Sequence, residues 1–160
     1  MIKQWGAVLA AFSLSMPAAA QTARPMLEHA TAATMRDACI AYAREHSFSV
    51  AIAVYDDELR LISYDMMDGT SSGAGEFAHW KAKAAASFRV PSANLARWNL
   101  PDAPGMATVP GGVSVFTADG APLGAIGVSG STPDADLACA MAGVTAAGLT
   151  DKAPQAAKEN

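Results

Sequence analysis

Apolar positions recur at helical spacing from Met26 to about His46, where Leu27, Thr31, Met35, Ala38, Cys39 and Tyr42 share one side and no Gly or Pro intervenes. This predicts an amphipathic first helix with that stripe as its core face. Phe48 to Tyr55 is rich in Val, Ile and aromatics, stops at the acidic turn Asp56-Asp57-Glu58, and resumes from Leu59 to Tyr64. Two strands joined by a tight turn are predicted. The small residues from Thr70 to Gly75 read as a loop, after which Glu76 to Phe88 returns to helical period with Phe77, Trp80, Ala84 and Phe88 on one stripe. Pro91 ends that helix, Ser92 to Trp98 fits a short extra helix, and the five prolines from Pro91 to Pro122 leave the rest of the segment as loop.

Val113 to Thr117 and Leu123 to Val128 predict a second hairpin, with Ala118-Asp119-Gly120-Ala121 as its turn. Thr132 offers an N-cap, Pro133 suits the first helical position, and Asp134 and Asp136 favour the first turn of a last helix running to about Gly148. Residues 151–160 show no apolar periodicity and read as a flexible tail. Hairpins imply antiparallel pairing, so the class is α+β. The expected architecture is a small antiparallel sheet of about five strands packed with N- and C-terminal helices and a middle helix, in a single domain over residues 21–150.

Composition narrows the function classes. Of the 160 residues 82 are apolar, but 37 of these are Ala, so the core is modest. Charged residues make up only 16%, which argues against disorder. With 11 basic against 15 acidic residues and no basic run, a nucleic-acid backbone would meet net repulsion. No nucleic-acid partner is expected.

Lys3, the uncharged stretch from Trp5 to Met16, and Ala18-Ala19-Ala20 read as a signal peptide over residues 1–20, cleaved before Gln21. A periplasmic or secreted protein is expected, and not a transmembrane one, because the later uncharged stretches are broken by Pro and Gly. In an oxidising compartment Cys39 and Cys139, the only cysteines, can form one disulfide between the first and last helices. Two separate buried thiols are the alternative, since spacing does not fix the distance between them. The spacing excludes a zinc knuckle and a redox CxxC motif.

The succession Val54-Tyr55-Asp56, Met67-Asp68-Gly69, Lys81-Ala82, Gly111-Gly112-Val113, Asp119-Gly120 and Gly124-Ala125-Ile126-Gly127-Val128-Ser129-Gly130 resembles the GlcG/HbpS family over about Leu27 to Leu149. The resemblance implies a profilin-like domain that assembles into homo-oligomers, in a family that includes secreted haem-binding proteins. Two departures stand out. Asp57-Glu58 occupies a turn where the family usually has a Gly pair, and Met66 stands where it commonly has Arg before Met-Asp-Gly. A thioether cannot pair with an anion as that Arg can.

No GxSxG or HExxH motif appears, and three scattered histidines define no hydrolytic triad. Haem asks for less: one axial donor and an apolar slot that excludes water from a flat ring. On the first helix His29, Ala33, Arg36 and Ile40 share a second face, suited to an oligomer interface, with His29 the leading axial candidate and Arg36 a partner for a propionate. Met66 is the second axial candidate. Met66 and Met67, adjacent on one strand, face opposite sides of the sheet. Met106, in a Pro-Gly loop, is a weaker donor. His46 reads as a cation at the end of the first helix and His79 as solvent-exposed. The first expectation is therefore an exported, non-enzymatic haem-binding protein for storage, delivery or redox sensing. The alternative is a binding or catalytic site for a small organic acid of glycolate type, built from the backbone amides of Gly111, Gly112, Ser129 and Gly130 with the charge of Lys81.

Overall fold

In a computed structural model, which describes residues 23–98 and 103–153, the order of elements is α1 (His29–Glu45), β1 (Ala51–Asp56), β2 (Leu61–Met66), α2 (Ser72–Phe88), a 3-10 turn (Ser92–Trp98), β3 (Gly112–Phe116), β4 (Pro122–Ser129) and α3 (Pro133–Ala146). The expected leader with its expected cleavage point, and most of the expected tail, lie outside the described residues.

The sheet is antiparallel throughout, in the order β2-β1-β4-β3. It has four strands among the described residues, not about five. Among the described residues the stretch after α2 turns instead of extending, and what supplements β3 there is a single bridge between Phe116 and Thr150. The first turn closes without glycine, around Asp56. Its buried carboxylate accepts from the Glu58 and Arg60 amides at 3.0 and 2.8 Å and from Arg60 Nε at 2.6 Å, while Leu59 takes a left-handed backbone at φ 62°. The second turn closes as expected, with Gly120 at φ 86°.

One face of the sheet carries α1 and α3. The two helices run antiparallel, since Met35 lies against Gly143 and Cys39 is disulfide-bonded to Cys139 with Cα atoms 4.7 Å apart. Between them and the sheet lie Met35, Ile52, Val54, Val113, Val115, Ile126, Val128 and Val144. The buried stripe of α1 is Ala32, Met35, Cys39 and Ala43; Thr31, Ala38 and Tyr42 flank it, half-buried. The cap expected of Thr132 is present, its side chain accepting from the Ala135 amide at 3.3 Å.

The other face carries α2 with a different side inward from the one its aromatics predict. Phe77 and Phe88 are 41% and 37% exposed, and the buried residues are Gly75, Ala78, Lys81, Ala82, Ala84, Ala85 and Ala86. The cause is the sheet beneath. A Cβ on Gly127 would lie 2.2 Å from the Ala78 carbonyl oxygen, and one on Gly112 would lie 2.3 Å from that of Lys81. The helix backbone rests on glycine, so only small side chains fit between, and the large rings turn outward. The helix also starts four residues early, at Ser72, because Ser71 caps it by accepting from the Ala74 amide.

Candidate functional site

His29 is the first residue of α1 and is exposed, with no hydrogen-bond partner among the described residues. Met26, just upstream, is 67% exposed. The face that continues from His29 is less bare than its spacing implies. Ile40 packs against the core, and Arg36 donates from Nη1 to Ser63 Oγ on β2 at 3.2 Å and from Nε to Asp37 at 2.8 Å. Arg36 is thus tied to its own chain, and a propionate there would compete with Asp37.

The other two histidines are engaged. His46 bonds through Nδ1 with the Tyr42 carbonyl at 2.8 Å and stacks on the Tyr42 ring at 4.0 Å, which fits its role at the end of α1. His79 is half-buried, against the expectation of exposure. The pleat that points Ala51 and Ala53 at α2 also points Tyr55 there, and Tyr64, opposite Ala53, shares that face. Tyr55 Oη lies 2.9 Å from His79 Nδ1, and Tyr64 stacks on the imidazole at 4.7 Å. Burial lowers the His79 pKa, and nearby Lys83 lowers it further against the opposing charge of Glu76. Burial likewise raises that of Tyr55. Both partners are held neutral. In the tautomer where the hydroxyl donates to Nδ1, the ring proton sits on Nε2, and no lone pair is left for a metal.

Met66 and Met67 split as the pleat requires. Met67 packs against the α1/α3 core; Met66, on the α2 side, is 37% exposed, and its sulfur accepts from Tyr64 Oη at 3.5 Å. It borders a depression of about 370 Å³ lined also by Ile40, Arg44, Asp65, Met67 and Asp68. Met106 is half-buried in its loop.

The residues read as an acid site lie near one another, with the charge of Lys81 spent internally. Gly111 and Gly112 meet the end of β4 beside Lys81. Lys81 Nζ donates to the Val128 carbonyl and to Asp136 Oδ2, both at 2.8 Å. Asp136 Oδ1 accepts from the Ser131 amide, and the Gly112 amide donates to Ser92 Oγ, each at 3.0 Å. Gly130 lies close against the backbone of Ser49, and Ser129 is buried in the β1 pairing. The carboxylate of Asp136 sits where an external acid was expected. This ion pair, like the His79 cluster, escaped sequence reasoning because only the helix register brings its members together.

A family model described as haem degrading protein HbpS-like matches residues 27–145. The chain belongs to the HbpS-like family. Among solved structures this HbpS-like chain is similar to HbpS, with 29% identity over 82% of this chain and 97% of that one and a TM-score of 0.73. It is similar to a double mutant of Streptomyces reticuli HbpS at 28% identity over 85% and 97% of the two chains, again with a TM-score of 0.73. The PduOC:heme complex, at 19% identity over 79% and 99% with a TM-score of 0.73, shares the fold. A search of curated proteins returns no match. No helix among the described residues is long and apolar enough to cross a membrane.

Proposed function

We propose that this HbpS-like protein binds haem through His29 after export, as a homo-oligomer, and serves haem storage, delivery or redox sensing. The observation that carries this reading is the state of the three imidazoles. Those of His46 and His79 are bonded through Nδ1 and stacked on tyrosine rings of their own chain, whereas that of His29 is exposed at the start of α1 with no hydrogen-bond partner among the described residues. A neutral imidazole is a sufficient axial donor for haem iron. Bound there, haem would supply its iron as the acceptor of that lone pair; what this chain supplies is the donor, the neighbouring Met26 and the end of a rigid helix. One exposed side chain does not keep water from a porphyrin. The proposal therefore includes a second copy that covers the other side of the ring, which accords with the oligomers the family resemblance implies.

The chain's membership of a family named for HbpS and its likeness in fold to a heme complex support the ligand class. The test is absorption spectroscopy of the purified protein with hemin, in the wild type and in His29→Ala, His46→Ala and His79→Ala. A shifted Soret band lost only in His29→Ala supports the assignment. A band lost only in His79→Ala moves the site to the sheet face over Tyr64.

A further inference from the structure

We infer that Arg24 and Arg89 form a binding site for a carboxylate carried on an apolar frame. Both line a depression of about 260 Å³ whose remaining walls are Pro25, Ala121 and Pro122. Three separate parts of the chain meet there: the segment leading into α1, the end of α2, and the turn into β4. The walls are apolar, the two charged groups are both guanidinium, and no acidic residue lines the depression.

Other cations of this chain are compensated by acidic neighbours. Arg36 is paired with Asp37, Arg60 with Asp56 and Glu58, and Lys81 with Asp136. Arg44 lines the other depression alongside Asp65 and Asp68, so positive and negative charge meet there. Neither Arg24 nor Arg89 has a carboxylate within ion-pair distance among the described residues. In a chain of net charge −4, two uncompensated guanidiniums on one apolar hollow create a local field opposite to that of the whole molecule. Arginine is suited to this task because its fork matches a carboxylate with two parallel hydrogen bonds.

Arg89 carries a further mark. It is the C-cap of α2 in the left-handed region at φ 55°, a position where glycine is the relaxed choice. A non-glycine residue there costs on the order of 1 kcal/mol, and its charge complements the last carbonyls of α2. Arg24 lies outside any helix, so the helix dipole does not account for it.

Two sources present this chemistry, the propionates of haem and a free organic acid. Haem is the favoured source, and in that form the inference rests on the haem reading. Arg24 lies five residues before His29, in the segment that leads into α1. A ring ligated by His29 would then direct its acidic edge to the two arginines, and Arg36 would keep its bonds to Asp37 and Ser63.

The test uses the full chain and three probes: hemin, hemin dimethyl ester in the same mild detergent, and cyclohexanecarboxylate. Arg24→Gln/Arg89→Gln is expected to weaken hemin binding about tenfold without moving the Soret maximum, and to leave the affinity for the ester unchanged. Arg24→Gln alone, which leaves the α2 cap intact, is expected to give part of that loss. If the wild type gives no Soret band, the haem reading fails; thermal stabilisation by cyclohexanecarboxylate that disappears in the double variant then supports the site with a free acid as its source. The inference is overturned if the double variant binds hemin and cyclohexanecarboxylate as the wild type does, or if the wild type binds neither.

Discussion

Lys81 Nζ stands 2.8 Å from Asp136 Oδ2, and both side chains are only 3% exposed, so an ion pair joins α2 to α3 past the end of β4. Each charge has left water and is compensated by the other and by backbone groups. Lys81→Met or Asp136→Asn alone is expected to cost about 3 to 5 kcal/mol, because an unpaired buried charge remains. The double variant Lys81→Met/Asp136→Leu is expected to recover much of that loss. Urea denaturation checks it, and single variants as stable as the wild type would show that the pair is not buried in solution.

Gly127 sets the distance between α2 and the sheet. Gly127→Ala would place a methyl 2.2 Å from the Ala78 carbonyl oxygen and 2.4 Å from the Ala82 amide nitrogen, both backbone atoms that cannot swing aside. A loss of about 3 kcal/mol is expected by the overpacking rule, with a lowered thermal midpoint as its measure. Gly73→Ala, on α2 with nothing within 4 Å, is the control and is expected to be neutral or stabilising.

The Cys39–Cys139 bond closes a loop with a sequence separation of 100. Its removal in Cys39→Ala/Cys139→Ala is expected to cost between about 2 and 5 kcal/mol, chiefly by freeing the unfolded chain. The same denaturation curves with and without reductant measure it, and coincident curves would contradict the bond's contribution.

His79 makes stability depend on pH in a defined direction. Its folded-state pKa is lowered from the ordinary value of 6.5, first by burial and then by Lys83, with Glu76 opposing. Below 6.5 the unfolded chain takes up the proton before the folded one does. The contribution of neutral His79 is therefore complete above about pH 6.5 and is lost as the pH falls through the folded-state value. His79→Phe, which retains a ring against Tyr64, is expected to flatten the fall in thermal midpoint between pH 7 and pH 5. An unchanged pH profile in that variant would refute the assignment.

The fold was legible where local chemistry and tertiary role agree. Thr132 with Pro133 marks the start of α3, Asp119-Gly120 marks the second turn, and the apolar runs around Val54 and Ile126 mark the central strands. The inward side of α2 was not legible, because Phe77 and Phe88 carry the apolar signal while the contact is decided by Gly112 and Gly127 on strands remote in sequence. The same limit hid the site chemistry. The spacing of His29 and Arg36 along α1 is correct, yet whether Arg36 is free depends on Ser63, which only the placement of α1 over β2 reveals. Lys81 pointed to a cluster with Gly111 that does form, but its partner Asp136 was read only as a helix-start residue.

The central claim is that His29 ligates haem iron, and a hemin titration followed at the Soret band tests it most directly. The account predicts saturable binding by the wild type with a shifted band, and loss of that band in His29→Ala while the variant's far-UV circular dichroism matches the wild type. An unshifted hemin spectrum in the wild type, or an identical spectrum in the variant, would contradict it.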